Sequence, residues 1–91
     1  MTDTIIVTRH NGLVDWLSRH GITGKVIASA TADDVTGKHV IGALPLHLAS
    51  LADRVTTVDY TCPMELRGKD LTAQQLDELG AVLNTYKVIK A

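Results

Sequence analysis

The 91 residues make one domain, residues 1–91, close to the smallest size that buries a self-sufficient core. Apolar residues at 45% exclude wholesale disorder, while aromatics at 3% and the absence of Phe restrict the core to Val, Ile, Leu and Ala. Nine basic against ten acidic residues, net −1, exclude the basic face of a protein that coats long nucleic acid, yet leave room for a small anion held by local cations.

The lone Cys62 rules out an internal disulfide and, with no signal-peptide pattern, leads us to expect the cytoplasm. No apolar run reaches the roughly 18 residues of a membrane helix, so no membrane partner is expected. A core of this size supplies only roughly 3–5 kcal/mol of net stability, for which homodimerisation is a natural remedy.

Ile5-Ile6-Val7 predicts a buried strand over residues 4–8, emptying into Thr8-Arg9-His10-Asn11-Gly12. A helix is expected over residues 11–20, with Leu13, Trp16, Leu17 and His20 on one side and Gly21 as its stop. The next strand spans residues 25–28, and the polar link over residues 28–38 is too short for a full helix and reads as a turn in its place. A third strand, residues 39–43, leads through Gly42 to a helix over residues 45–52, where Pro45 suits the first turn. The fourth strand covers residues 54–59. Residues 60–71 form the longest irregular segment, and long loops in small domains commonly carry function. Thr72-Ala73-Gln74-Gln75 is a capping box opening a helix with Leu76, Leu79 and Leu83 as its stripe, and a last strand is expected over residues 86–90. The order β-α-β-β-α-β-α-β predicts an α/β fold with a mostly parallel five-stranded sheet and helices on both faces.

Strand ends of such a sheet hold ligands. Arg9 offers a fixed cationic fork and His10 a group that titrates near neutrality, a pairing suited to a phosphate ester and its cleavage. The alternatives are a surface ion-pair partner for Arg9 and a loop histidine bonded to backbone for His10. Gly42 permits close approach of a ligand to the backbone, and the backbone amides around Gly42 and Leu44, leading into the second helix, suit an anion. A plain turn is the competing reading, since neither a GxGxxG nor a Walker pattern is present. His47 either lines the same crevice or is a solvated helix histidine. His20 and His39 read as structural. Pro63-Met64-Glu65-Leu66-Arg67-Gly68 places an acid and an arginine in one loop, where Arg67 reaches over a ligand or a partner subunit, or else forms a surface ion pair with Glu65. Cys62 reads as a spectator thiol. No His, Cys or carboxylate spacing suggests a metal, no cofactor is expected, and no GxSxG elbow is present.

Val7-Thr8-Arg9-His10, Val40-Ile41-Gly42-Ala43-Leu44-Pro45 and Glu65-Leu66-Arg67-Gly68-Lys69-Asp70-Leu71-Thr72, in this order across nearly the whole chain, resemble a family of small stand-alone CRISPR-associated proteins linked to type III systems. Such proteins resemble minimal versions of the Rossmann-like domains that sense cyclic oligoadenylates. The resemblance implies a ring nuclease, a homodimer that binds cyclic tetra-adenylate and cleaves it to linear products without a metal. It places Arg9 and His10 in catalysis, and Thr8, Asn11, Gly42, Leu44, Pro45, His47 and Arg67 in ligand binding. A module that sequesters the ring without cutting it is the alternative.

Overall fold

The computed structural model describes residues 4–61, 63–66 and 71–91. Its elements follow the chain as β1 (Thr4–Val7), α1 (Asn11–Arg19), β2 (Lys25–Ile27), α2 (Ala32–Val35), β3 (His39–Gly42), α3 (Leu46–Ala49), β4 (Arg54–Asp59), a 3-10 turn (Met64–Leu66), α4 (Ala73–Glu78) and β5 (Val82–Tyr86). The sheet order is β2-β1-β3-β4-β5. β1 runs parallel to β2 and β3, and β3 parallel to β4, whereas β5 is antiparallel to β4. The fold is α/β, and its sheet is mixed, three parallel pairs and one antiparallel pair.

Strand alternation sends successive side chains to opposite faces, and each face meets its own helices. Ile6 and Ile41 face one side and are buried with Trp16 and Leu17 of α1 and Leu71, Ala73 and Leu76 at α4. Val40 and Val55 face the other, buried with Val35 of α2 and with Ala49 and Ala52 at α3. Helices thus lie on both faces, as the alternation of runs predicts.

The link between β2 and β3 is a single helical turn, α2, opened by Thr31, whose backbone amide and hydroxyl both donate to the Asp34 carboxylate. These bonds hold the Asp34 pKa below its ordinary value. α3 is also one turn, shorter than the expected helix over residues 45–52. Pro45 stands outside it as the cap, with extended ψ of 149°. The chain after it is drawn back to β3, since Gly37 N donates to Leu51 O and Asp53 N to Lys38 O.

The largest departure is at the carboxyl end. Gly80 adopts φ of 74°, and Gly80 N and Ala81 N donate to Asp77 O and Leu76 O, closing α4 in the left-handed manner glycine favours. The chain reverses there, so the last strand is Val82–Tyr86 rather than residues 86–90, and Leu83 lies on that strand rather than on the helix stripe.

α1 and α4 are joined at Trp16. Its indole is buried, Nε1 donates to Asp77 Oδ1 at 2.7 Å, and the His20 ring lies 4.1 Å away, centroid to centroid. Asp77→Ala leaves that indole N–H without its acceptor and is expected to cost about 1–3 kcal/mol, read by urea unfolding, whereas Asp77→Asn retains an oxygen acceptor and much of the stability. Equal losses in the two variants would assign the effect to something other than this bond.

His39 Nε2 lies 2.6 Å from Thr56 Oγ1, which lies 2.9 Å from Thr85 Oγ1, so the bottom of β3, β4 and β5 is tied by side chains as well as backbone. Burial of the ring, then repulsion from Arg54, holds the His39 pKa below its ordinary value of 6.5, with Asp53 opposing. The unfolded chain therefore takes up this proton first as pH falls. The contribution is present above pH 6.5 and is lost as pH drops through the window below it. Stability is expected to decline from about pH 7 to about pH 5, more steeply in the wild type than in His39→Gln. Identical pH profiles for the two proteins would remove His39 as the cause.

Candidate functional site

The sheet order reverses around β1: the chain crosses from β1 to β2 on one side and returns to β3 on the other. Connections that leave in opposite directions open a crevice at the carboxyl ends of those strands, where open α/β sheets bind ligands. Here the crevice is a cavity of about 470 Å³. Thr8, Arg9 and His10 line it from the end of β1, Gly42 and Ala43 from β3, and Asp59 and Tyr60 from β4. Leu13, Leu71 and Leu76 form its apolar wall.

Gly42 has φ of 133°, and a Cβ there would overlap the carbonyl oxygen of Val7, its partner in the ladder. Only glycine lets β3 end this close to β1, and the missing side chain leaves the cavity floor low.

Arg9 is exposed, and its Nη2 donates to Ser29 Oγ at 3.2 Å across the β2 end. Among the described residues no carboxylate forms an ion pair with it. His10 is the N-cap of α1; its backbone amide donates to Thr8 Oγ1 at 3.1 Å, and its side chain does not cap the helix. Leu13 N and Val14 N donate to His10 O, and among the described residues the amides of Asn11 and Gly12 have no acceptor. That turn contains no acidic residue. Arg9 and His10 therefore line one end of the cavity, and the nine-residue helix α1 begins directly after them at Asn11.

The structure thus brings Thr8, Arg9, His10 and Gly42 together, with Asn11 opening α1 behind them. It does not bring Leu44, Pro45 or His47 to the cavity. Leu44 is half-buried against the Val35–Val40 cluster on the opposite face, Pro45 caps α3, and His47 is exposed, its carbonyl accepting from the Ser50 hydroxyl. α3 has four residues, too short to aim several amides and a dipole at an anion as expected from sequence. Arg67 and Cys62 lie outside the described residues. Glu65 is exposed in the 3-10 turn. His20 and His39 serve the α1–α4 contact and the β3–β4 contact respectively.

Asp59-Tyr60 stands out in the sequence as a third strand end but carries no assigned binding role there. The strand order makes β4 the neighbour of β3 and brings both residues to the cavity lining. Among the described residues no group of three His, Cys, Asp or Glu side chains is placed to hold a metal, and no helix is long and apolar enough to cross a membrane.

No curated protein and no solved structure matches the chain. The model of one family, described as "Putative CRISPR-associated protein (Cas_VVA1548)", matches residues 5–89, and the chain belongs to that CRISPR-associated family.

Proposed function

We propose that this protein is a ring nuclease that binds cyclic tetra-adenylate at the strand-end cavity and opens it to linear products, ending the signal of a type III CRISPR system. The observation that carries the reading is Arg9, a guanidinium at the cavity rim with no carboxylate partner among the described residues, beside His10 and the first amides of α1. CRISPR association comes from the family, and the substrate from the resemblance of the three motifs. On this reading the sheet is a reduced Rossmann-like domain with β5 added as an antiparallel edge.

The chemistry asks little of the protein beyond placement and charge. The ribose 2′-oxygen attacks the adjacent phosphorus, the P–O5′ bond breaks, and a 2′,3′-cyclic phosphate and a 5′-hydroxyl result. The 2′-hydroxyl loses its proton and the departing 5′-oxygen gains one, and His10 serves one of these transfers. Arg9 and the Asn11 and Gly12 amides bear on the charge of the phosphoryl oxygens. Because the nucleophile belongs to the substrate, no metal is required to generate it. Arg67 is a second cation for the ring in this reading.

A cavity of about 470 Å³ is at the size that encloses one small ligand, here one nucleotide of the four. A ring with twofold symmetry then engages two cavities, one from each subunit of a homodimer.

The test is multiple-turnover incubation with radiolabelled cyclic tetra-adenylate in EDTA, with products resolved by chromatography. Linear adenylates in molar excess over protein are expected; a ring retained intact on the protein identifies a sequestering module, and a free intact ring removes the nucleotide reading. Arg9→Ala is expected to lower kcat/KM roughly ten- to hundredfold, the loss of one charge-assisted contact. His10→Ala is expected to lower kcat by about 10²–10⁴ with a smaller change in affinity. Unchanged rates in either variant would take that residue out of the site.

A further inference from the structure

The β4 side of the cavity is lined by Thr57, Val58, Asp59 and Tyr60, and the mechanism leaves its last two residues unused. We propose that they form a base subsite: Tyr60 stacks a purine base, and Asp59 sets which way round the nucleotide lies. This deepens the nuclease reading and rests on it for the identity of the base.

The first argument is distance across the sheet. β1 and β4 flank β3, so the strand ends carrying Arg9 and Tyr60 are two strand spacings apart, about 10 Å. That is the reach of a single nucleotide from phosphate to base. Between them lie Gly42, with no side chain, and Ala43, with one methyl, a floor on which a ribose fits.

The second argument is that Tyr60 packs in neither core cluster among the described residues. It is 41% exposed. Of the other two aromatic side chains, Trp16 is buried between α1 and α4, and Tyr86, on the outer strand β5, does not line the cavity. Tyr60 is therefore the aromatic ring that lines the cavity among the described residues, next to the apolar wall of Leu13, Leu71 and Leu76. An aromatic face beside a cationic backbone site is how proteins hold unpaired bases.

The third is charge. Asp59 Oδ2 accepts from Asn84 Nδ2 at 2.6 Å and from Thr57 Oγ1 at 3.0 Å, so the carboxylate is fixed between β4 and β5. Oδ1 has no hydrogen bond among the described residues and is available to a ribose O–H or a base N–H. A carboxylate at this end repels phosphate, and the guanidinium at the other attracts it. The nucleotide is thereby polarised, phosphate toward β1 and base toward β4.

The test uses the full chain labelled with ¹³C-tyrosine and titrated with adenosine 5′-monophosphate, with ribose 5-phosphate as the base-free control. The ring signals of Tyr60, assigned with Tyr60→Phe, are expected to shift with the nucleotide and not with the sugar phosphate, and Tyr86 to stay in place with both. In turnover of cyclic tetra-adenylate, Tyr60→Ala is expected to raise KM about 5- to 150-fold with kcat little changed, and Tyr60→Phe to behave as wild type. A nucleotide that leaves Tyr60 unmoved, or moves both tyrosines alike, overturns the subsite even where the ring is cleaved. A nucleotide-specific Tyr60 shift in a protein that leaves the ring intact sustains the subsite and overturns the nuclease reading.

Discussion

The pairing of β1 with β3 is the constraint on which the rest of the molecule depends. Ile5 meets Val40, Ile6 meets Ile41 and Val7 meets Gly42 across a parallel ladder at the centre of the sheet. Side chains of these pairs enter both cores, Ile6 and Ile41 one of them and Val40 the other. Separating the two strands therefore exposes both clusters at once, and in a domain of 91 residues no second core remains to hold it. The same ladder makes the cavity, because it ends at Gly42 where a side chain would overlap Val7 O. Stability and site share a single element, so selection on either acts on both.

How a core with so few aromatics holds its helices is answered mostly by one residue. Trp16 is the largest fully buried side chain, and it fills the space between α1 and α4 that smaller aliphatic side chains leave elsewhere. Its polar edge is satisfied by Asp77, so burial of the indole carries no orphaned donor. The position of α1 matters doubly, since the helix begins directly after the cavity residues Arg9 and His10. The Trp16–Asp77 contact, five residues into α1 from Asn11, thus fixes where that start lies.

Much of this was legible in the chain, and the parts that were not share a cause. β4 matches its expected span of residues 54–59, and β1, β2, β3 and α1 each end one residue short of expectation, because runs of Val and Ile and a helical stripe are local signals. The capping box at Thr72 was equally local, and both of its bonds form, Thr72 N to Gln75 Oε1 and Gln75 N to Thr72 Oγ1. β5 was misplaced because Leu83 sits at helical spacing from Leu76, and only the left-handed turn at Gly80 breaks that register. Arg9, His10 and Gly42 were found because each follows a buried run. Leu44, Pro45 and His47 were placed at the same crevice on the assumption of a full helix, which one turn of α3 does not supply. Asp59-Tyr60 stands out in the sequence as a third strand end, and the strand order that sets β4 beside β3 brings it to the cavity with Arg9 and Gly42.

On the proposed reading, the charge pattern accounts for how a protein with net charge −1 handles an anion. A polyanionic chain is gathered by a broad basic face, and none is needed here. The cation lies at one strand end and the carboxylate two strands away, with Leu13, Leu71 and Leu76 as the apolar wall beside them. Over about 10 Å, close to the screening length at physiological salt, such a dipole is felt by a bound nucleotide and largely lost to a distant one. A long nucleic acid gains little from it, because each further phosphate meets a surface with no excess of positive charge. On the proposed reading a short ring gains in full, since each of its phosphates can be brought to an Arg9 in turn. In that reading the compactness of the charge, rather than its amount, is what selects a small phosphodiester over a polymer.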